Sequence, residues 1–345
     1  MSSDAAEQGA EAFRIIKASE GLFDDDVVYV AAQGSRIGID GGRLVVKYGE
    51  SGEVLSSFPL EKINTVNIFG NVSVSTPFLS KCNRHGMVVN YFTRYGKYVG
   101  SFSPDHNTIA EIRRHQAALN AERALAISKV IVGAKIRNSR TLLARKKIKP
   151  PKRLKELEFE VLGAAGMNQL RGVEGEAASI YFAHLNECLI EGWIFEKRTR
   201  RPPKDHLNSL LSLTYAMMKN EVMSGLRQYN LDPYIGVMHT DRHGRPALAL
   251  DLLEEFRPIF CDAFALRLVN QRILDHDDFG SDNRLKDHAL KKYLSLYDDY
   301  MKETFNHPKF KYAVTKRRSV IMQAILLRKA ITGEMKQYHP LVFTR

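Results

Sequence analysis

The stretch GVMHTDRHGRPALALDLLEEFRP, residues 236–258, gathers the residue types that phosphodiester chemistry on a divalent metal would use. His239 follows the apolar run YIGVM. Asp251 and Glu254 lie three residues apart, so a helix there holds both on one side. Glu255 is adjacent, and only one of the two glutamates can share that side; the spacing favours Glu254. Far upstream, RGVEGEAASIYF at 171–182 places Glu174 near the start of an apolar helix with Ala177, Ala178, Tyr181 and Phe182. An acid in such surroundings is unfavourable unless a cation, a hydrogen-bond donor or a metal meets it. One histidine with two or three carboxylates suits Mg²⁺ or Mn²⁺ better than a structural zinc site. Such an ion polarises a bridging phosphate and stabilises the negative charge that develops on it.

Each residue also has a plainer reading. Glu174 reads as a salt-bridge partner or as a helix-start acid favoured by the dipole. His239 reads as a structural or exposed histidine, with His243 as a competitor in a polar, Gly-containing turn. Asp251 ends the run PALAL and is placed to cap a following helix. Tyr181, Trp193 and Tyr215 could stack on bases, though core packing accounts for each more readily. The block KRTRRPPKDHLNSLLSLTYAMMKNEV, 197–222, sets Arg198, Arg200 and Arg201 ahead of a rigid Pro-Pro. Asp205 or Asn208 can cap the helix that follows. Phosphate contacts and interhelical salt bridges explain those arginines equally well.

The charge distribution supplies a substrate class. The net charge is +12, but residues 1–110 hold 10 Lys/Arg against 12 Asp/Glu, while residues 111–345 hold 41 against 27. Residues 135–155 carry ten basic side chains and no acidic one. A polyanion is the expected partner, with nucleic acid and a membrane surface both open on charge alone, and Lys146 and Lys147 join the three arginines as candidate contacts to it. Pro150 and Pro151 mark 145–155 as an exposed linker. Cys82, Cys188 and Cys261 lie far apart with no C-x-x-C pair, so buried free thiols in a reducing compartment are expected. No run of 18 apolar residues occurs, which predicts a cytoplasmic protein without membrane contact.

The elements that must position these side chains divide into two textures. The small, polar, acidic residues 1–24 read as a disordered tail. Residues 25–106 read as a mostly β domain. VVYVAA is a strand, Gly41–Gly42 sit between two β-rich runs as a hairpin, and TPFLSKCNRHG, 76–86, is a short helix. From 107 to 345 the apolar spacing is helical, in one long segment from 108 and in others at 166–195, 207–228, 251–274, 284–303 and 314–334. The predicted fold class is α+β, a small mostly β N-terminal domain followed by a larger all-α catalytic domain.

With these pieces in order, the chain resembles the metal-dependent nuclease-integrase family of CRISPR adaptation. RGVEGEAASIYF, RTRRPPKDHLNSLLSLTYA, GVMH, RPALALDLLEEFRP and the terminal YHPLVF carry the resemblance, which spans residues 25–343. It implies catalytic metal ligands at Glu174, His239 and Glu254, with Asp251 as a nearby additional acid and weaker candidate metal ligand. Glu254 stands where some members have Asp; both bind hard divalent ions. The resemblance further implies homodimers formed through the N-terminal domains. Two such dimers would flank a dimer of a small ferredoxin-like partner, a heterohexamer holding a short double-stranded prespacer. Each 3′-OH would attack a phosphodiester at the edge of a repeat, with water replacing it in nuclease reactions. His239 would coordinate as neutral imidazole, so activity is expected to fall at acidic pH. Two other readings are a non-catalytic basic DNA-binding scaffold and a metal-dependent hydrolase of small phosphorylated substrates. The long basic stretch argues against the second, since a small substrate needs only one focused pocket.

Overall fold

A computed structural model describes residues 26–96, 98–104, 109–200, 202–240 and 242–343. The tail expected at 1–24 and the candidate Arg201 lie outside the described residues. Period-two alternation builds the front of the molecule. In β1 (Asp26–Val30), Val28 and Val30 enter a core between two sheets, while Tyr29 faces the helices behind. β2 (Ser35–Asp40) and β3 (Arg43–Tyr48) are joined at Gly41 and Gly42. Both glycines have positive φ, 53° and 77°, as the expected two-residue hairpin requires.

β4 (Val54–Pro59), β5 (Ile63–Phe69), β6 (Val72–Val74), helix α1 (Thr76–His85), β7 (Val88–Phe92) and β8 (Tyr98–Phe102) complete this part. The strands form two four-stranded sheets, ordered β1-β5-β7-β8 and β4-β3-β2-β6. Ile37, Leu44, Val46, Val66, Ile68 and Phe78 fill the space between them. Phe69 and Phe92 stack with centroids 4.6 Å apart and join the helical core instead.

The long helical segment expected from residue 108 is two helices, α2 (Ala110–Ala117) and α3 (Ala121–Arg145). Asn120 starts the second, its side chain accepting the Arg123 N–H at 2.8 Å. The linker expected at 145–155 is correct only up to Pro151. That residue caps α4 (Lys152–Gly163), which buries Leu154, Leu157 and Val161. Proline at a helix start removes no helical hydrogen bond, so Pro150–Pro151 precede a helix rather than forbid one.

α5 (Met167–Ala183) and α6 (His206–Gln228) follow. Asp205 caps α6 at 2.6 Å from the Asn208 N–H, as the spacing predicts. α7 (Ala247–Phe256) runs through a π-helical turn, Arg257–Asp262, into α8 (Ala263–Asn270). Pro258 has no N–H for the ladder, and the wide turn absorbs it without breaking the helix. α9 (Asp287–Lys302) leads into a two-stranded antiparallel hairpin, β9 (Thr304–Asn306) and β10 (Ala313–Thr315). This hairpin and an isolated bridge between Phe279 and Leu285 depart from the all-α layout expected of the helical part. α10 (Lys316–Thr332) closes the bundle.

One core unites α3 to α10, with Leu248, Leu252, Phe256, Phe264 and Tyr293 at 0 or 1 % exposure. Arg317 ties the two parts together, reaching Glu221 in α6, Asp298 in α9 and the Tyr29 hydroxyl in β1. The three cysteines are buried and free, as expected. Among the described residues no helix is long and apolar enough to cross a membrane.

Candidate functional site

Asp251 organises the site from inside α7. The helix begins at Ala247, so Asp251 does not cap it as expected; it caps the preceding loop instead. Its fully buried carboxylate accepts the backbone N–H groups of Val237 at 2.7 Å, Met238 at 3.1 Å and His239 at 3.0 Å. The same carboxylate takes His239 Nδ1 at 2.5 Å. A carboxylate cannot donate, so Nδ1 carries a proton, and Nε2 is the ring nitrogen left for a metal. Gly236 allows this wrap. A Cβ there would meet Ala247 Cβ and the His239 carbonyl, each at 2.7 Å. Gln116 holds the base of the loop, bonding Asp232 and Ile235, and Arg171 holds the Met238 carbonyl. The competing His243 is exposed.

Glu254 lies one turn beyond Asp251 and is 2 % exposed. Its Oε1 pairs with Arg257 at 2.9 Å, and its Oε2 stands 2.7 Å from Lys135 Nζ of α3. The same ammonium contacts Glu174 Oε1 from α5. Glu174 and Glu254, from different helices, are therefore within reach of one cationic nitrogen. Burial alone would raise the Glu254 pKa, but Arg257 and Lys135 outweigh it and hold the carboxyl at about 2. Glu176 points elsewhere, to Arg153 at 2.7 Å. Glu255 also points away, accepting from Gln323 and the Leu341 N–H. The two adjacent glutamates thus turn to different partners.

The donor set fits a hard divalent ion. Glu254 Oε2 is buried with the Lys135 ammonium 2.7 Å away, while Arg257 meets Oε1. Two carboxylates and an imidazole lone pair are the ligands such an ion takes. Among the described residues no three His, Cys, Asp or Glu side chains already stand in an arrangement that would hold a metal. Lys135 lies between the two carboxylates that would supply it.

Sequence reasoning missed the cations and the layer behind them. Arg257 stacks over Tyr215 at 4.9 Å, and Arg198 stacks over the same ring at 5.2 Å. The hydroxyls of Tyr215 and Tyr181 both donate to Asp262, at 2.6 and 2.7 Å. Burial pushes Asp262 up to about 6, against the pull of those hydroxyls and of Arg198 and Arg257. Tyr181, Tyr215 and Trp193 are thus packed in the fold. Arg257 had a signal, its three-residue spacing from Glu254; Lys135 had none within its long helix.

The basic candidates divide. Arg198 is tied to Asn208, Ser212 and the Thr199 carbonyl, whereas Arg200 is exposed. Arg137 and Arg140 pair with Glu158, and Arg153 with Glu160 and Glu176. Lys146 ends α3, and Lys147 follows it exposed, with φ 64°.

A β-rich front and a helical bundle that brings two acids to one lysine define the class. The model of the family "CRISPR associated protein Cas1" matches residues 28–299, and the chain belongs to that family. It is 55% identical over 339 residues to CRISPR-associated endonuclease Cas1 4 of Methanospirillum hungatei, covering 98% of this chain and 97% of that one. The solved structure of a Cas1 protein from Thermotoga maritima is similar at TM-score 0.79 and 27% identity, covering 93% of this chain and 99% of that one. A chain of a solved Cas6-RT-Cas1–Cas2 complex is similar at TM-score 0.75 and 25% identity, with 93% of this chain and 37% of that chain covered.

Proposed function

We propose that this protein is a metal-dependent DNA endonuclease and integrase that inserts new spacers into a CRISPR array. The observation that carries the reading is the meeting of Glu174 and Glu254 at the Lys135 ammonium; His239, its Nδ1 held by Asp251, is the third candidate ligand. Glu174, His239 and Glu254 would hold one Mg²⁺ or Mn²⁺. When bound, that ion supplies charge stabilisation at the scissile phosphate. Asp251 positions His239 and fixes its tautomer. Arg257 keeps Glu254 ionised and its carboxylate turned inward. In strand transfer a DNA 3′ oxygen loses its proton and bonds to phosphorus. The repeat's own phosphorus–oxygen bond breaks, and the released 3′ oxygen takes up a proton. One phosphodiester replaces another, so no nucleotide fuel enters.

Residues 25–106 would form the dimer contact and residues 107–345 would handle the DNA. The relationship to a chain of the Cas6-RT-Cas1–Cas2 complex supports assembly with a small ferredoxin-like partner into a heterohexamer. Exposed Arg200 and Lys147, with Lys146, are the DNA-contact candidates. The reading is tested by plasmid nicking and by strand transfer of a short duplex into a repeat substrate, with Mg²⁺ or Mn²⁺ and with the partner. Glu174→Ala should abolish both while sparing most DNA binding. Equal loss of binding and chemistry would mean that Glu174 is structural. Metal-independent activity would remove the mechanism.

A further inference from the structure

Lys135 is a basic residue held where the metal-site reading places a metal. It is only 9 % exposed, and its head meets Glu174 and Glu254 together. Its place is set by the helix it rides on. One turn further along α3, Asn138 donates to the Glu255 carbonyl at 3.0 Å and to the Leu341 carbonyl at 2.9 Å. Those bonds fix the register of α3 against α7 and so deliver Lys135 to Glu254. The anchored part is the backbone. The head sits at the end of a flexible four-carbon stem and can leave without moving the helix. Arg257 differs, because it is held both by Glu254 and by the face of Tyr215.

Charge balance points the same way. Lys135 and Arg257 offset two of the three carboxylates Glu174, Glu254 and Asp251. A divalent ion added with the ammonium still in place would leave one uncompensated positive charge there, which a low-dielectric site disfavours. Departure of the ammonium relieves this, and a DNA phosphate gives it a partner.

We propose that Lys135 is a displaceable internal cation. It holds Glu174 and Glu254 together in the metal-free protein, yields them to the divalent ion, and then pairs with a phosphate of bound DNA. This rests on the metal-site reading above. Metal and DNA thereby strengthen each other's binding, and by reciprocity each does so by the same factor.

The test is Mn²⁺ titration of the metal-free full chain, followed by calorimetry and by the electron paramagnetic resonance signal of free Mn²⁺. It is run with and without a nuclease-resistant phosphorothioate duplex. Lys135→Met should bind Mn²⁺ about tenfold more tightly than the wild type without DNA, and the gain that DNA gives should shrink. In EDTA its melting temperature should fall, and Mn²⁺ should raise it by more than in the wild type. Lys135→Gln carries the same measurements if the Met variant does not fold. Equal or weaker Mn²⁺ binding by these variants would overturn the proposal. Glu174→Gln separates the two levels of argument. If the wild type shows no Mn²⁺ uptake that Glu174→Gln removes, the metal reading itself fails. If it does, and the Lys135 variants match the wild type, only this inference fails.

Discussion

Replacing Asp251 by Asn keeps the volume and removes the charge and one acceptor. Four donors converge on this carboxylate: Val237 N and Met238 N on Oδ2, and His239 N and Nδ1 on Oδ1. An amide offers an oxygen to one pair and an NH₂ to the other, so two donors lose their acceptor in a fully buried place. A hydrogen bond to a charged group contributes about 1.5–3 kcal/mol, so the two together are worth roughly 3–6 kcal/mol. His239 is only partly buried, and relaxation of its loop brings the expectation toward the lower figure, about 3 kcal/mol. Urea denaturation of both proteins at neutral pH measures it. The same change frees the imidazole to turn, and losing such a supporting partner weakens metal affinity by about 10–100-fold. Mn²⁺ titration reads this directly. Glu254→Gln, which alters a proposed ligand, should do greater damage to Mn²⁺ binding. The reasoning is refuted if Asp251→Asn stays within about 0.5 kcal/mol of the wild type with unchanged Mn²⁺ affinity. Equal loss of metal in the two variants would make Asp251 a ligand rather than a support.

Gly236→Ala places a methyl 2.7 Å from Ala247 Cβ and 3.1 Å from Asp251 Oδ2. It should destabilise the fold by about 1–3 kcal/mol and depress nicking; a fully active, equally stable variant would contradict the wrapped loop. Asp262 is raised from 3.8 to about 6, so its contribution to stability is fully present below 3.8 and is lost as pH rises through about 6. Asp262→Asn should therefore flatten the rise in stability between pH 7 and pH 4, by up to about 3 kcal/mol, and parallel stability curves for the two proteins would count against a buried charge there. Charge reversal at Lys146, Lys147 and Arg200 should weaken duplex binding and make it less salt-dependent, and an unchanged salt slope would take these residues off the DNA.

Much of this site was legible because its signals are local. Asp251 and Glu254 share a helix side by spacing alone, and the glycines at 41 and 42 announce their turn. Asp205 caps its helix as its residue type predicts. What stayed hidden depends on partners distant in sequence. Nothing near Lys135 says that Glu174 and Glu254 will meet it, because that contact is made by packing three helices together. The run at 135–155 read as a bare polycation, yet Glu158, Glu160 and Glu176 neutralise several of its members. Asp251 misled for the opposite reason. Its residue type predicted capping correctly, but the amides it caps belong to the loop before the helix and not to the helix itself.

The rear of α7 is finished by residues that follow it by some ninety positions. Glu255 receives the Leu341 amide, and Asn138 clasps the Leu341 carbonyl and the Phe343 amide. A polypeptide emerging from the ribosome therefore has its acidic helix long before it has the strap that braces it. The helix that carries Asp251 and Glu254 is braced from behind only once that later segment has been made.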